Sequence, residues 1–436
     1  MIVEFSVKNF RSIKDLQTIS FAATGLKSPD EYANLDETNI AEEGGMHLLK
    51  TVGIYGANAS GKSNIILAFL HFISAINNEA RSESNLNALC DPFLFQENAD
   101  QTESFFQLVF YLKEKKYRYG FTVKRNPSFH NRGIFEKSSK EIISSEWLFG
   151  TKDKNMVELF TRKGLEISKD KLPGQEIIPS LSYEHTLFLT HASAFDNKGV
   201  CAGIRRSMQV LSNLNIGNYA SIKELSYQYL TDLLSTYFNG RLLNILSIFN
   251  VNYLDIEIEK DEKMNSLEIS TENVVLIKKN INSKSNGDLI RLNLFKHEST
   301  GTQKIFEIAC MLVIVFELNP AFFILDEIDS NFHPSLLLKL IEVFNNPKIN
   351  TNNSQLLFTS HDTNLMSPSV MRRDQFYFTE KREDDSTRLY SLADLKGIRN
   401  DADFARDYLR GFYGALPVFS NYVEPIKTEQ DGSVGN

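Results

Sequence analysis

One short segment has the residue types and spacing of a phosphate-binding loop: Gly56-Ala57-Asn58-Ala59-Ser60-Gly61-Lys62-Ser63. Its glycines let the backbone curl so that amide hydrogens point at phosphate oxygens, where a side chain would block the approach. In such a loop the lysine reaches the β and γ phosphates, and the next hydroxyl coordinates Mg²⁺. The predicted nucleotide-binding residues of this segment are Gly56, Asn58, Ala59, Ser60, Gly61, Lys62, Ser63 and Asn64, and Ser63 is also a predicted metal ligand.

Two carboxylates, Asp326 and Glu327, end an apolar run that begins at Ala321. A strand with only apolar residues is buried on both faces, as in a parallel sheet, whose C-terminal edge is where α/β proteins bind ligands. We predict that Asp326 holds Mg²⁺ and that Glu327 polarises the water that attacks the γ-phosphate. The alternative is an acidic helix cap. The phosphate-binding loop in the same chain favours the catalytic interpretation.

Two further segments fit the same chemistry. Residues 299–303 precede an apolar helix predicted over 305–316, and a serine, a glycine and a free helix N-terminus form an anion site suited to another subunit's γ-phosphate. A plain helix cap would explain the same residues. A short buried strand over 356–360 carries His361 to the sheet edge, where we predict a γ-phosphate contact rather than a structural role.

The elements that position these residues indicate an α/β protein. The apolar run 51–55 and the residues after Lys62 predict a strand, the loop and then a helix. Lys62 and Asp326 lie 264 residues apart although both must contact one nucleotide, so a large insertion separates two halves of one core. We predict four regions: 1–125 as the first half, 126–250 as an inserted, mainly helical lobe, 251–422 as the second half, and 423–436 as a disordered tail.

The composition is that of an ordinary globular protein, with 436 residues, 42% hydrophobic residues and a net charge of -8. Nothing in this balance indicates a general nucleic-acid binder. The three widely spaced cysteines predict a reducing compartment and argue against a disulfide framework or a zinc site. The N-terminus lacks the features of a signal peptide, and the most apolar window, 308–316, is too short to span a bilayer. We therefore expect a cytoplasmic protein without membrane contact.

Together the motifs resemble the ABC-type ATPase heads of the RecF and SMC type. The residues that carry this resemblance are the opening strand Phe5 to Ser12, the loop Gly56 to Ser63, the signature Ser299 to Gln303, the pair Asp326-Glu327, the D-loop Asp329-Ser330-Asn331, and His361. The ending Tyr408-Leu409-Arg410-Gly411-Phe412-Tyr413-Gly414-Ala415-Leu416-Pro417 is similar to the small bacterial ABC ATPases labelled AAA-ATP-like. That group includes the ATPase components of the AbiL, RloA and PARIS-like phage-defence systems.

The resemblance implies an α/β P-loop NTPase head with a mixed two-lobe core split by a largely helical insertion. In such proteins two heads enclose two ATP molecules with Mg²⁺, so a homodimer or a higher homo-oligomer is expected. Glu327 would be the base, Asp329 would contact nucleotide through the D-loop, and Ser299, Gly301 and Gln303 would act on the partner's ATP. The signature departs from the Leu-Ser-Gly-Gly-Gln of transporters. Gln96 is the candidate for the glutamine that coordinates Mg²⁺, on position alone, and Gln107 competes with it.

Two functions remain open from the sequence. The first is a cytoplasmic ATPase that hydrolyses ATP, senses phage infection through DNA or a phage protein, and controls a separate effector encoded nearby, such as a TOPRIM-like nuclease. We find no nuclease motif in the sequence, so the effector is expected in another chain. The alternative is a RecF-like DNA-binding clamp in DNA repair. The acidic net charge and the lack of coiled-coil arms argue against that alternative.

Overall fold

The computed structural model describes residues 1–77, 86–126, 141–153, 155–214, 236–258, 274–280, 288–317, 322–331 and 333–417. In this part of the chain, two sheets pack on either side of one long helix, and a second group of helices covers the far face of one sheet. The prediction of an α/β fold is confirmed.

The larger sheet is antiparallel and has seven strands in the order β10-β9-β8-β7-β6-β1-β2. Its strands are β1 (Ile2–Lys8), β2 (Gln17–Ser20), β6 (Ser104–Leu112), β7 (Lys115–Arg125), β8 (Glu141–Lys152), β9 (Asn155–Lys163) and β10 (Glu166–Ser168). Phe5, Leu108 and Phe121 lie in the first core, whereas Val3, Val109 and Tyr111 are buried in a smaller, separate core. The sequence over 104–123 alternates apolar and polar residues on either side of a Lys-rich turn, which predicts a hairpin. Strands β6 and β7 form it.

The second sheet has the order β14-β15-β5-β16-β17 and is parallel except for its last strand. Its strands are β5 (Thr51–Gly56), β14 (Phe322–Leu325), β15 (Gln355–Thr359), β16 (Phe376–Lys381) and β17 (Thr387–Ser391). The apolar run of β14 is buried on both faces as expected, because Phe322 and Ile324 join one core while Phe323 and Leu325 join the other. Since β5, β14 and β15 are parallel, the residues after them meet at one edge.

The described helices are α1 (Leu35–Thr38), α2 (Lys62–Asn77), α3 (Phe188–Phe195), α4 (Val200–Leu214), α5 (Thr236–Ile248), α6 (Leu294–His297), α7 (Thr300–Glu317), α8 (Pro334–Asn345) and α9 (Phe404–Leu409). Helix α2 lies between the two sheets. Its Phe69 ring is 4.9 Å from Phe5 of the first sheet and 5.1 Å from Phe322 of the second, measured between ring centroids. Helices α5, α7 and α8 pack in the second core, on the opposite face of the parallel sheet.

Two small sheets complete the described structure. The antiparallel sheet β11-β12-β13 comprises β11 (Asp255–Ile258), β12 (Val274–Lys279) and β13 (Leu289–Asn293), and the hairpin comprises β3 (Ile40–Glu43) and β4 (Met46–Leu49). Among the described helices, none combines the length and the apolar character that crossing a bilayer requires.

The region 126–250 differs in part from the mainly helical lobe that we expected. Strands β8, β9 and β10, within 141–168, extend the first sheet, whereas 188–195, 200–214 and 236–248 are helical as predicted. The isolated apolar residues of this stretch, such as Ile143 and Leu148, are the buried positions of alternating strands. The sequence also predicts a helix from apolar residues at helical spacing between 222 and 237, and most of that segment lies outside the described residues, as does the expected tail. The four-region division remains a prediction.

Candidate functional site

The phosphate-binding loop joins β5 to α2 at the edge where the parallel strands end. Gly56 and Gly61 have φ angles of +151° and +105°, which strain any residue with a side chain. A Cβ atom at Gly61 would also collide with the Thr387 hydroxyl of β17. Ala59 adopts a φ of +62° as well, so the loop is held in a tight curl. This is the backbone shape that the glycine spacing predicted.

The back of the loop is held by hydroxyl groups from the neighbouring strands. Ser60 Oγ and Thr379 Oγ1 are 2.6 Å apart, and Thr387 donates to the Ser60 carbonyl oxygen at 2.9 Å. Asn64 donates to Ser12 Oγ at 2.7 Å, and Ser12 in turn bonds Thr387 at 2.7 Å. The side chains of Ser60 and Asn64 are therefore committed to the scaffold. Their backbone N–H groups also bond within the loop, Ser60 to the carbonyl oxygen of Ala57 at 3.3 Å and Asn64 to that of Gly61 at 3.1 Å.

Lys62 lies at the start of α2 with its side chain folded over the loop. Its ammonium group donates to the carbonyl oxygens of Gly56 at 2.9 Å and Ala57 at 3.0 Å. An ammonium has three N–H donors, so one remains for a phosphate oxygen. Burial lowers the pKa of Lys62, while the carboxylates of Asp326 and Glu327 oppose that shift. The cation is thus partly desolvated before any phosphate arrives.

Asp326 and Glu327 directly follow β14, and one threonine organises both. Thr359, at the end of β15, donates its hydroxyl hydrogen to Asp326 Oδ1 and accepts the Glu327 backbone N–H at 2.7 Å. Glu327 has a φ of +49°, an uncommon conformation for a residue with a side chain. The Glu327 side chain is exposed, and Asp326 is half-buried. The strained turn therefore presents one carboxylate to solvent and keeps the other beside Lys62.

Asp329 and His361 complete the cluster. The His361 backbone N–H donates to Asp329 Oδ2 at 3.1 Å, and Asp329 Oδ1 is buried without a partner among the described residues. The pKa of His361 is lowered by partial burial and then by the positive charge of Lys62, against the opposing effect of three nearby carboxylates. Its ring is therefore neutral at pH 7. The structure brings Lys62, Asp326, Glu327, Asp329 and His361 to one sheet edge, as the sequence predicted.

The oxygen groups at this edge suit Mg²⁺. The described residues give the Ser63 hydroxyl no hydrogen-bond partner, and Asp326 has a second carboxylate oxygen for which no bond is found in the same part of the chain. Magnesium is usually held by one or two protein oxygens together with phosphates and water. No group of three or more metal-ligating side chains occurs within the described ranges. The Ser63 hydroxyl and the Asp326 carboxylate are thus oxygen ligands of the kind that Mg²⁺ ordinarily takes.

The hydrogen bonds of the signature residues are local. Ser299 Oγ accepts the Thr302 N–H at 3.2 Å, while the Gln303 amide donates to the carbonyls of Leu294 at 3.3 Å and Glu298 at 3.0 Å. Ser299 and Gly301 are exposed. None of the hydrogen bonds or ion pairs of the described chain joins these residues to Lys62 or Glu327. The helix-cap alternative describes what Ser299 does here, and its exposure leaves it open to a second copy.

Gln96 is held by contacts outside the cluster. Its amide donates to Asn9 Oδ1 at 2.6 Å and to Thr102 Oγ1 at 3.2 Å. Gln107, the competitor, accepts the indole N–H of Trp147 at 3.2 Å on the antiparallel sheet. Within the part of the chain that the structure describes, neither glutamine has a bond to Asp326 or Ser63. Their assignment as metal ligands remains a prediction.

Sequence reasoning missed the residues that hold the site in shape. Thr359 ends β15, Thr379 lies within β16 and Thr387 begins β17, and Ala415 accepts the backbone N–H of Ala57 at 3.1 Å. A signal existed for Thr359, since a buried polar residue that closes an apolar strand needs a partner. No signal existed for the other three, because their contacts depend on how β16 pairs with β5, how β17 pairs with β16 and where the segment after α9 packs.

Comparison with known proteins supports an ATPase. A family model described as "AAA domain, putative AbiEii toxin, Type IV TA system" matches residues 52–367. The comparison with curated proteins gives no match. Among solved structures, the SMC head domain from Thermotoga maritima has 13% identity and a TM-score of 0.40, covering 89% of this chain and 98% of that chain. The SmcHead bound to the C-winged helix domain of ScpA has 13% identity and a TM-score of 0.38, covering 91% and 99%. The residues that the family model matches include both Lys62 and His361.

Proposed function

Because the chain belongs to this family of AAA-domain P-loop ATPases, we propose that it binds ATP with Mg²⁺, hydrolyses it between two copies, and thereby controls a separate effector in anti-phage defence. The observation that carries the proposal is the convergence of Lys62, Asp326, Glu327 and His361 at one sheet edge. Groups of these types at such an edge can bind a triphosphate and activate water.

The chain's residues divide the chemistry among themselves. The amides of the loop and Lys62 bind the phosphates, and Lys62 neutralises charge that develops on the γ-phosphate. Glu327, exposed on its strained turn, accepts a proton from the attacking water. His361, neutral at pH 7, donates a hydrogen bond toward the γ-phosphate. When bound, Mg²⁺ supplies charge neutralisation on the phosphate oxygens, and Ser63 and Asp326 would hold it.

The exposed signature supports an assembly of at least two copies. Ser299 precedes the 18-residue helix α7 and Gly301 lies in its first turn, where the N-terminus carries free amides and the positive end of the helix dipole. In one chain this end contacts none of Lys62, Asp326 or Glu327 through a described bond. A second copy would bring it to the phosphate that Lys62 binds, and ATP would then join the two copies.

Control of an effector is the finer part of the proposal. The family's description names a toxin–antitoxin system, which supports a role in a two-component defence system. An assembly joined by ATP can change its shape when Glu327 acts, and a bound effector would respond to that change. The proposed effector is a nuclease encoded nearby, and DNA or a phage protein is the proposed trigger.

The test of the ATPase is Glu327→Gln, which keeps the shape of the side chain and removes the base. We expect phosphate release to fall about 100-fold or more, while ATP binding persists and light scattering shows an ATP-dependent increase to twice the monomer mass. Glu342→Gln, on an exposed face of α8, is the matched control and should behave like the wild type. Unchanged turnover in Glu327→Gln would refute the assignment.

The test of the effector uses the purified chain alone. It should release phosphate from ATP and cleave neither DNA nor tRNA. Cleavage by the single chain that is lost in Glu327→Gln would show that the effector is this chain itself. Protection of cells against phage should require the neighbouring gene and should disappear in Lys62→Ala.

A further inference from the structure

A cavity separate from the nucleotide site lies on the outer face of the seven-stranded sheet. It is an open groove of about 700 Å³ across strands β6 to β10. Aromatic, cationic and hydroxyl side chains line it, including Trp147, Phe149, Arg118, Lys163, Ser145 and Thr161. None of these residues takes part in the ATP chemistry described above.

The floor of the groove is the indole of Trp147, which lies across the sheet. Trp147 on β8 pairs with Gly120 on β7, and Gly120 pairs with Gln107 on β6. A Cβ at Gly120 would lie 2.6 Å from indole atom Cζ2, so the missing side chain is what lets the ring lie against the strand. The indole N–H reaches over β7 and donates to Gln107 Oε1 at 3.2 Å. The ring is therefore fixed in place and its polar atom is satisfied.

Two more aromatic rings extend this floor. Phe105 stacks beside Trp147 with 5.4 Å between ring centroids and 26° between the planes. Phe149 carries the guanidinium of Arg118 over its ring at 4.4 Å. Trp147 and Phe105 are only partly buried, so the rings form a flat apolar surface that is open to a ligand. A flat, rigid surface of this kind suits another planar ring.

The charges beside the rings favour an anion. Arg118 and Lys163 are exposed and have no carboxylate within ion-pair distance among the described residues. Of the two glutamates in the lining, Glu146 is fully buried and paired with Arg162 at 3.2 Å, which leaves Glu166 as the exposed one. Two free cations flank the aromatic floor, although the sequence as a whole is acidic. The ligand that matches is planar and aromatic with a negatively charged backbone.

We propose that this face binds a short segment of single-stranded nucleic acid, with one base stacked on Trp147 and neighbouring phosphates on Arg118 and Lys163. Stacking is open to any base, and two cations match about two phosphates. Duplex is a poor match, because its bases are already stacked and cannot lie on the indole. The inference extends the proposed function, since such a site could receive a nucleic-acid trigger.

Direct binding is the first test, and Trp147 is its reporter because it is the only tryptophan of the chain. Titration with oligo(dT) and with oligo(U) of 12 nucleotides should quench its fluorescence, and labelled oligomers should show the same affinity by anisotropy. Comparison of the affinities for oligo(dT) and oligo(U) shows whether the site prefers single-stranded DNA or RNA. A 12-base-pair duplex should bind at least tenfold more weakly.

Variants then locate the site. Trp147→Ala should weaken binding by about 5- to 150-fold, the range for loss of one stacked base, and Trp147→Phe should retain most of the affinity. Arg118→Ala should reduce the slope of log affinity against log salt by about 0.7, the contribution of one phosphate on a single strand. Lys115→Ala, an exposed cation on the same strand outside the groove, is the matched control and should change neither quantity.

This inference can be tested independently of the ATPase proposal, because the two sites share no residue. Lys62→Ala should bind oligonucleotide like the wild type, and Trp147→Ala without nucleic acid should hydrolyse ATP like the wild type. Absence of binding at 100 µM oligonucleotide would overturn the inference, as would equal losses in Trp147→Ala and Lys115→Ala. If Trp147→Ala dissociates the protein's homo-oligomer and the wild type binds no oligonucleotide, the face is a subunit contact, which would also overturn the inference.

Discussion

Thr359 offers a test of how the strained turn at Glu327 is maintained. Its hydroxyl is the shared partner of two groups, since it donates to the Asp326 carboxylate and accepts the Glu327 backbone N–H. Thr359 is fully buried, so bulk water cannot take the place of its hydroxyl group in these hydrogen bonds. Thr359→Val keeps the shape of the side chain and deletes only the hydroxyl. The variant therefore removes both bonds at once without opening a cavity.

The magnitude follows from the two bonds. A hydrogen bond to a charged group contributes about 1.5–3 kcal/mol and one to a backbone amide about 0.5–1.5 kcal/mol. Asp326 is half-buried, so water restores part of the loss, and we expect the free energy of unfolding to fall by about 1–2 kcal/mol. The left-handed backbone of Glu327 costs about 1–3 kcal/mol and loses the bond that offsets it. Glu327 then leaves its active position, and kcat should fall about 5- to 30-fold.

The assay is phosphate release at saturating ATP, together with ATP affinity measured by calorimetry. Affinity should change less than twofold, because the loop amides and Lys62 do not contact Thr359. Thr359→Ser keeps the hydroxyl and should restore kcat, while Thr161→Val, on the antiparallel sheet, controls for the loss of a hydroxyl elsewhere. A Thr359→Val enzyme with the wild-type kcat would refute the idea that this hydroxyl positions Glu327, whatever its effect on stability.

Two further predictions concern Lys62 and His361. Lys62→Ala removes the ammonium group that bonds the loop, and ATP affinity measured by calorimetry should fall about 100-fold, the effect of one charged hydrogen bond; affinity within threefold of the wild type would contradict this role. The pKa of His361 is lowered from 6.5, so its ring stays neutral as the pH falls from 8 to 7, and kcat/KM should be constant over that interval. A decline is expected only below pH 6.5, where His361 gains a charge that can pair with Glu327, and it should be absent in His361→Gln; the same decline in that variant would assign it to another group.

The motifs predicted from the sequence are those whose chemistry depends on local order. Gly61 and Lys62 are neighbours in the chain, and so are Asp326 and Glu327, so their spacing alone indicates a loop and a strand end. Parallel strands then bring these segments to one edge, which is why the site could be assembled before the structure was known. The alternation in β6 and β7 likewise predicted their hairpin.

The scaffold of the site could not be predicted in the same way. Thr387 reaches Ser60 because β17 forms a hairpin with β16, and β16 in turn pairs with β5, more than 300 residues away in sequence. Region 141–168 was included in the expected helical lobe because apolar residues recur at helical spacing later in 126–250. The neighbouring strand β7 supplies the partner that makes this alternation a strand. Tertiary pairing, rather than local preference, determined both outcomes.

The C-terminal motif contributes to the nucleotide site through its backbone. Ala57, at the start of the phosphate-binding loop, donates its N–H to the carbonyl oxygen of Ala415 at 3.1 Å. The same carbonyl accepts the Tyr408 hydroxyl at 3.2 Å, and Tyr390 on β17 donates to the Tyr413 carbonyl at 2.6 Å. Ordering this segment costs conformational entropy, and these hydrogen bonds offset part of that cost. Because a loop amide bound to Ala415 cannot turn toward a phosphate, the segment determines which amides of the loop face the ligand, and any partner that moved it would also alter the binding of ATP.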